Sequence, residues 1–175
     1  VAHVPVAGLG ATDEQALAAW LADDERPRAI HDAKGPELGI RARGWRLGGL
    51  TCDTALAAYL VLPGQRSFEL DDLVARFLKR ELGGSESGSS AQLSFDTDAE
   101  AELASSSGAQ ARAVLDLAEA LDTAVEEHGG TRLLAEVELP LVRCLAVMEQ
   151  HGIAVDVDHF EALDAEFGEG VRQAA

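Results

Sequence analysis

The chain has 175 residues, enough for one domain and part of another, with 47% hydrophobic and 26% charged residues, an ordinary balance for a globular protein. Fourteen basic residues against 31 acidic ones give a net charge of −17. Because so acidic a surface repels a phosphate backbone, the composition excludes strong nucleic-acid binding by this chain alone.

Targeting signals and metal-type cysteine motifs are missing from the sequence. No run of about 18 apolar residues could span a membrane, and the opening VAHVPVAGLG lacks the basic start of a signal peptide. Cys52 and Cys144 have no CxxC spacing, which indicates reduced core thiols rather than a disulfide or a metal site. We therefore expect a cytoplasmic protein with no membrane contact.

The first 27 residues predict a strand and then a helix. Val4 and Val6 alternate within Val1–Leu9, which favours a strand, and Pro5 places it at a sheet edge or near a strand end. Residues 12–15 form a T-x-x-Q capping box, which predicts a helix that ends within Asp23–Pro27. The expected buried face of that helix consists of Leu17, Trp20 and Leu21.

Short strands then alternate with helices, as is typical of an α/β sheet. Arg28–Asp32 and Gly48–Thr51 are the predicted strands, and a helix over Gly35–Gly44 lies between them. The pair Asp53-Thr54 is a helix cap, since its side chains can accept free backbone N–H groups. The helix that follows is stopped by Pro63-Gly64.

Another helix begins near Ser67–Glu69. Acidic residues occupy its first turn and basic residues its last, an order that suits the helix dipole. The acidic residues are Glu69, Asp71 and Asp72, and the basic ones are Arg76, Lys79 and Arg80. Its apolar stripe is formed by Leu70, Leu73, Val74, Phe77 and Leu78.

A polar linker separates this part from a long helix. Gly83–Ser90 reads GGSESGSS, and Ala91–Asp98 has a loosely ordered composition. A helix is predicted from Asp98 to about Glu127, and its first part should fray because Ser105–Gly108 lowers helix propensity. Gly129-Gly130 then marks a predicted boundary between a domain over 1–128 and the start of another over 129–175.

The last 45 residues predict two further helices. Thr131–His151 has the strongest helical periodicity in the chain, and Pro140 inside it predicts a kink or two abutting helices. Gly152 suits the position that ends a helix, and Ile153–Asp156 is extended. A final helix is expected from Asp158, bearing Phe160, Leu163 and Phe167.

Four stretches resemble bacterial family A DNA polymerases (DNA polymerase I). CDTALAAYLVLPG followed by SFELDDLVARFLKREL is similar to the FDT-type turn and helices of their 3′–5′ exonuclease domain, and VAHVPVAG to its third core strand. AIHDAKGPELGIRARGWRLGGLTCDT resembles the region of that domain's second motif at equal length. VELPLVRCLAVMEQHGIAVD resembles the start of the polymerase domain, at the base of the thumb. The resemblance implies an α/β, ribonuclease H-like 3′–5′ exonuclease fold, N-terminally truncated, with a mixed sheet and flanking helices, followed by helices of the thumb base.

The resemblance also implies where the carboxylates that bind two metal ions for hydrolysis would lie. At the positions that this sequence contains, the metal-binding carboxylates are missing. The first motif, D-x-E, would precede Val1. The second, N-x-x-x-D, falls on Asp32 and Pro36, so proline stands at the metal-binding position. The third, Y-x-x-x-D, places Leu103 or Ala104 at the tyrosine and Ser107 or Gly108 at the carboxylate. We therefore predict no catalytic, cofactor-binding or metal-binding residue in this chain.

Other polar residues have simpler interpretations than catalysis. Asp32 or Glu37 could replace the lost carboxylate, although an exposed turn is the commoner role for such residues. Alternate acids beside the linker are typical of a solvated face, as are the basic residues between positions 26 and 46. The acids are Asp96, Asp98, Glu100 and Glu102, and the basic residues are Arg26, Arg28, Lys34, Arg41, Arg43 and Arg46. The histidines lack ligand spacing, and no phosphate-binding glycine loop occurs.

The leading hypothesis is a fragment of a DNA-directed DNA polymerase I of replication and repair, with an inactive exonuclease-like scaffold. Its partners would be the remainder of the polymerase chain and, through the parent enzyme, DNA; magnesium is expected for the parent, with no cofactor in this chain. A free-standing nuclease of the same superfamily is an alternative, against which Leu139–Asp156 and the missing carboxylates both argue. An acidic protein-interaction module is the other.

Overall fold

The computed structural model describes residues 3–82 and 98–174. Two short strands, β1 (Arg28–Ile30) and β2 (Leu50–Asp53), are surrounded by helices. The helices before the gap are α1 (Ala11–Ala22), α2 (Lys34–Ala42), α3 (Thr54–Val61) and α4 (Leu70–Leu73), and α4 continues as a π-helical segment, Val74–Leu78. The helices after it are α5 (Asp98–Glu127), α6 (Thr131–Leu133), α7 (Leu139–His151) and α8 (Val157–Ala174), with a π-helical segment, Leu134–Glu138, between α6 and α7.

The sheet within the described residues consists of β1 and β2 in parallel, with Ala29 opposite Cys52 and Ile30 opposite Asp53. The prediction of a further strand around Val4 is wrong. Val6–Gly8 instead forms a 3₁₀ turn, and Val4 is exposed. Pro5, which comes directly before the turn, has no N–H to donate to a strand ladder.

Helix α1 lies at the periphery and buries the predicted face only in part, at Leu17 and Leu21. No α1 residue is fully buried, and 48% of Trp20 is exposed. The predicted capping box is also not formed, because α1 begins at Ala11 after Gly10 with no side-chain cap. The tryptophan ring instead stacks under the Arg28 guanidinium, whose Cζ lies 4.7 Å from the ring centroid. The indole therefore covers a cation rather than filling the core.

Arg28 links the end of α1 to the residues just before β2 through hydrogen bonds. Its guanidinium donates to the carbonyls of Trp20, Asp23 and Gly48, the last at 2.6 Å. The chain approaches so closely here that a Cβ on Gly49 would lie 2.0 Å from the Arg26 carbonyl oxygen, and Gly49 has a φ of +64°. Only glycine suits that combination of close backbone approach and left-handed conformation.

The hydrophobic core forms where α3, α4 and its π-helical continuation pack against α5. Alanines on α3 allow close approach, and leucines and valines from the other elements fill the space between them. The fully buried residues of this cluster include Ala57, Ala58, Leu73, Val74, Leu117, Leu121 and Val125. Leu134 and Leu139, from beyond Gly130, belong to the same cluster. The apolar stripe predicted for residues 70–78 therefore lies against α5, partly or wholly buried.

Most of the predicted helix limits agree with the structure. Helix α5 spans Asp98–Glu127 as predicted, and it stays helical through Ser105–Gly108, where we expected fraying. The run from Thr131 is interrupted as Pro140 predicted, by the π-helical segment immediately before α7. Gly152 ends α7 with a φ of +68°, and α8 begins one residue earlier than expected. The predicted linker and the loosely ordered stretch after it, residues 83–97, lie outside the described residues.

No helix of the described part is long and apolar enough to cross a membrane. Several apolar side chains of α7 and α8 are exposed, among them Met148, Phe160 and Phe167.

The prediction that both cysteines are core thiols is wrong for Cys144, which is exposed on α7. Helical periodicity identified the apolar positions of α7 without showing which of them face a neighbour.

Candidate functional site

The carboxyl ends of β1 and β2 meet at Asp53, the last residue of β2. Its carboxylate is 2% exposed and accepts hydrogen bonds from four backbone N–H groups. Two of them, on Ala55 and Leu56 at 2.9 and 3.3 Å, belong to the first turn of α3. The other two, on Asp32 and Ala33 at 3.2 and 2.8 Å, belong to the turn between β1 and α2. The predicted cap at Asp53 is thus confirmed, and the same carboxylate also holds the turn before α2.

Asp32, the residue at the first position of the second motif, follows β1 in a left-handed conformation with a φ of +48°. Its side chain is exposed, while its backbone N–H is held by Asp53. The preceding His31 places Nδ1 2.9 Å from the Thr54 hydroxyl oxygen. The turn is therefore fixed mainly through backbone groups and through neighbours of Asp32.

Pro36, where the resemblance places the metal-binding aspartate of the second motif, lies exposed in the first turn of α2. The adjacent Glu37 is 3% exposed and does carry a carboxylate. Its Oε1 lies 3.4 Å from Nη1 of Arg41 and 3.7 Å from Nε of Arg143 on α7. Glu37 thus contacts two arginines at the contact between α2 and α7, where its single negative charge offsets part of theirs.

The region of the third motif lies on α5. Ser107 and Gly108 are both partly buried, and Leu103 is exposed. None of these side chains offers a carboxylate. Among residues 3–82 and 98–174, no three His, Cys, Asp or Glu side chains converge as a metal site would require. Of the acids beside the linker, Asp96 lies outside the described residues, and their interpretation as a solvated face stays a prediction.

Carboxylates accompany the cations of the basic stretch. Nε of Arg26 lies 2.8 Å from Asp23, and Nη1 of Arg46 lies 2.8 Å from Asp24. Arg46 lowers the pKa of Asp24 by hydrogen bonding to it, and the pKa of Arg46 is raised in return. The remaining ion pairs join Arg43 to Glu14 and Lys34 to Glu149. Internal pairing of this kind leaves little positive charge to offer a phosphate backbone.

An open cleft of about 600 Å³ separates the start of β2 from α7. Apolar residues such as Leu47 and Val142 line it together with Glu37 and Arg143. The contact between Glu37 of α2 and Arg143 of α7 at this cleft was not predicted from the sequence, because the two residues are far apart in the chain. The only signal was the presence of charged residues at helical spacing on both segments.

The parallel strands, the helix that follows each and the Asp53 junction belong to an α/β domain, and its class is that of a ribonuclease H-like, exonuclease-like domain. A model of the family described as "DNA polymerase I, ribonuclease H-like domain" matches residues 5–87. The solved structure of the POL domain of Pol1 from M. smegmatis, in complex with DNA primer-template and dNTP, is similar with a TM-score of 0.82 and 45% identity. That match covers 98% of this chain and 27% of the other.

Curated relatives extend the match over almost the whole sequence. DNA polymerase I of Mycobacterium tuberculosis is 50% identical over 99% of this chain, and that of Mycobacterium leprae is 46% identical over 99%. DNA polymerase I of Bacillus subtilis is 27% identical over 93%. The chain therefore belongs to the bacterial DNA polymerase I family, and its fold class is the predicted one. It spans about a fifth of the length of these relatives, 19% of each mycobacterial protein.

Proposed function

We propose that this chain is a catalytically inactive exonuclease-like scaffold within a DNA-directed DNA polymerase I, joined to the first helices of the polymerase domain. The parent enzyme would extend primers from deoxynucleoside triphosphates with magnesium, in replication and repair. The boundary between the two parts would fall at residues 128–129. Its partners would be the rest of the polymerase chain and, through that chain, DNA.

The observation that carries the proposal is Pro36 in the first turn of α2. Two-metal hydrolysis needs carboxylates clustered around both ions, and proline has no side-chain oxygen to offer. Ser107 or Gly108 leaves the third position without a carboxylate as well. The residues present therefore do not fit a pair of divalent ions.

Two buried carboxylates close to the second motif, Glu37 and Asp53, are already engaged. Glu37 faces Arg41 and Arg143, and Asp53 accepts four backbone N–H bonds. Moving Glu37 would break its pairing with both arginines, and moving Asp53 would leave buried N–H groups without partners, which is costly. At the positions of the second and third motifs only Asp32 carries a carboxylate, which is exposed, and one carboxylate does not hold two ions.

The length of the relatives supports a scaffold rather than a free-standing nuclease. The mycobacterial matches are long DNA polymerase I chains of which this sequence is a fifth. The stretch that resembles the start of the polymerase domain is contained in α7 and the residues on either side of it. A domain of this kind would serve by holding that segment in place.

The test is a labelled single strand incubated with the chain and magnesium or manganese for hours, with an active 3′–5′ exonuclease as positive control. We expect no shortened products. A ladder that disappears with chelator and with Asp32→Ala, but persists with Asp158→Ala as the matched control, would show that Asp32 had taken over the metal. The same assay on the parent polymerase, with its polymerase activity measured in parallel, establishes that the protein tested is folded.

A further inference from the structure

Helix α2 contacts α7 through charged groups that lie far apart in the sequence. Lys34 Nζ lies 2.7 Å from Oε2 of Glu149, 115 positions away. Nε of Arg41 donates to Oε1 of Gln150 at 3.3 Å, 109 positions away. With Glu37 and Arg143 these residues form a continuous polar contact, which we call the α2–α7 latch.

The apolar residues of α2, such as Leu38 and Ile40, are at most partly buried. Glu37 is the only buried residue within α2 itself, and it carries a charge. A carboxylate buried to that degree depends on neighbouring cations, because removing them leaves an uncompensated charge in a poorly solvated place. Here Arg41 and Arg143 share one oxygen of Glu37, at 3.4 and 3.7 Å.

The two ends of α7 are held differently. Its first residue, Leu139, belongs to the hydrophobic core, whereas its last turns carry Glu149 and Gln150 of the latch. The π-helical segment Leu134–Glu138 and Pro140 lie at the start of α7, and interruptions of this kind are where helices bend. Apolar packing thus fixes the first half of α7, where Leu139, Val142 and Ala146 are buried, and charge pairs hold its last turn.

We propose that the α2–α7 latch sets the direction of α7 relative to the exonuclease-like domain, with Glu37 as its positioning residue. The latch holds by charge complementarity, so it opens in salt while the hydrophobic core stays closed. The proposal deepens the scaffold role and rests on it, because it names the surface by which the domain would hold the polymerase segment.

Amide hydrogen exchange on the full chain tests the latch, because exchange reports local opening separately from global unfolding. From about 0.1 M to about 1 M salt the screening length falls from about 10 to about 3 Å. We expect exchange in residues 143–151 to rise about two- to fivefold over that range, the size typical of exposed ion pairs. Exchange in the core of α5 around Leu117 should not change.

Reversing the charges of the exposed pair Lys34–Glu149 provides the specific control. Lys34→Glu or Glu149→Lys alone should raise exchange in residues 143–151, and the double variant should restore it, since the pair is rebuilt with opposite signs. Glu37→Gln should raise it on the order of tenfold at low salt, because it removes the partner shared by two arginines. Arg172→Gln, which breaks an exposed pair within α8, is the matched variant that should leave residues 143–151 unchanged.

Two results would overturn the latch. If the double variant, Lys34→Glu with Glu149→Lys, did not restore slow amide exchange in residues 143–151, attraction between the pair would not be what holds α7. An equal rise throughout α5 and α7 would show that Glu37 supports overall stability only. Because salt acts on the unaltered chain, the test stands even where a variant does not fold. DNA hydrolysis in the nuclease assay would remove the scaffold proposal and leave these exchange results unaffected.

Discussion

Asp53 illustrates how one buried carboxylate can organise a junction. Each of its hydrogen bonds satisfies an N–H at the start of a helix or in a tight turn, where the backbone has no partner of its own. Because two of the N–H groups lie on the α2 side and two on the α3 side, the side chain joins the ends of both strands. The β1–α2 turn and α3 are therefore coupled through a single residue.

Replacing Asp53 by alanine should lower the free energy of unfolding by about 2–4 kcal/mol, more than an ordinary cap, because it leaves buried N–H groups unpaired. Asp156→Ala is the matched control. Asp156 accepts one N–H bond, from His159 at an exposed position, and its loss should cost about 0.5–2 kcal/mol. Urea titration of both variants measures the difference, and equal losses would contradict the role given to Asp53.

The two thiols differ in burial and therefore in reactivity. Burial, followed by the nearby charges of Asp53 and Asp122, raises the pKa of Cys52 from 9.0 to about 11. Since the thiolate is the reactive form, a maleimide or iodoacetamide at about pH 7–8 should modify exposed Cys144 and leave Cys52 intact. Mass spectrometry of the labelled peptides measures this, and equal labelling of both cysteines in the folded chain would refute it.

The same shift makes stability depend on alkaline pH. A thiol whose folded pKa is raised contributes stability below its unfolded pKa, and that contribution is lost as pH rises through the folded value. The loss should therefore occur between about pH 9 and about pH 11. Cys52→Ser, measured by urea titration across that range, should show a smaller pH dependence than the unaltered chain.

Helix α5 presents one buried and one exposed leucine within a single turn. Leu117 is fully buried against α3 and the segment after α4, whereas 53% of Leu115 is exposed. Leu→Ala changes the intrinsic helix propensity by the same amount at both positions. The difference between the two substitutions therefore measures the energy of packing. This contrast makes the energetic contribution of the core directly measurable.

Leu117→Ala should lower the free energy of unfolding by about 2–5 kcal/mol, because it removes buried methyl groups and leaves a cavity. Leu115→Ala should change it by about 0.5 kcal/mol or less, as is usual at the surface. Thermal or urea unfolding of the two variants provides the measurement. Similar effects at both positions would mean that α5 does not pack as described.

The charge of the whole chain sets its behaviour towards DNA. A net charge of −17 is combined with ion pairs that neutralise several cations of the basic stretch. Protein–DNA affinity depends largely on cations that replace counterions along the phosphates. The strongest positive segment of the sequence is therefore committed to contacts within the protein.

We expect the chain to bind single-stranded or duplex DNA no more tightly than about 10⁻⁴–10⁻⁶ M at physiological salt. Fluorescence anisotropy with a labelled oligonucleotide measures the affinity. An Asp24→Asn variant, which frees Arg46 from its partner, shows whether pairing withholds that cation. Nanomolar affinity of the unaltered chain at that salt would overturn the expectation.

Several local features of this protein could be predicted from its residues, although the capping box expected at residues 12–15 does not form. The Asp53 cap, the limits of α5, the end of α7 at Gly152 and the interruption near Pro140 all agree with the structure. Caps, glycines and prolines act over a few residues, so their effect is present in the order of the amino acids. The family resemblance was likewise carried by contiguous stretches.

Predictions that required a neighbour to be known were less successful. Trp20 and Cys144 are exposed although their helices are periodic, and the strand predicted around Val4 does not form. Periodicity shows that a helix has an apolar face but not what covers it. The pairing of Lys34 with Glu149 and of Glu37 with Arg143 depends on how α2 and α7 are brought together. The first pair is separated by 115 positions, and its interaction energy exists only after the intervening chain has folded, so no local pattern could reveal it.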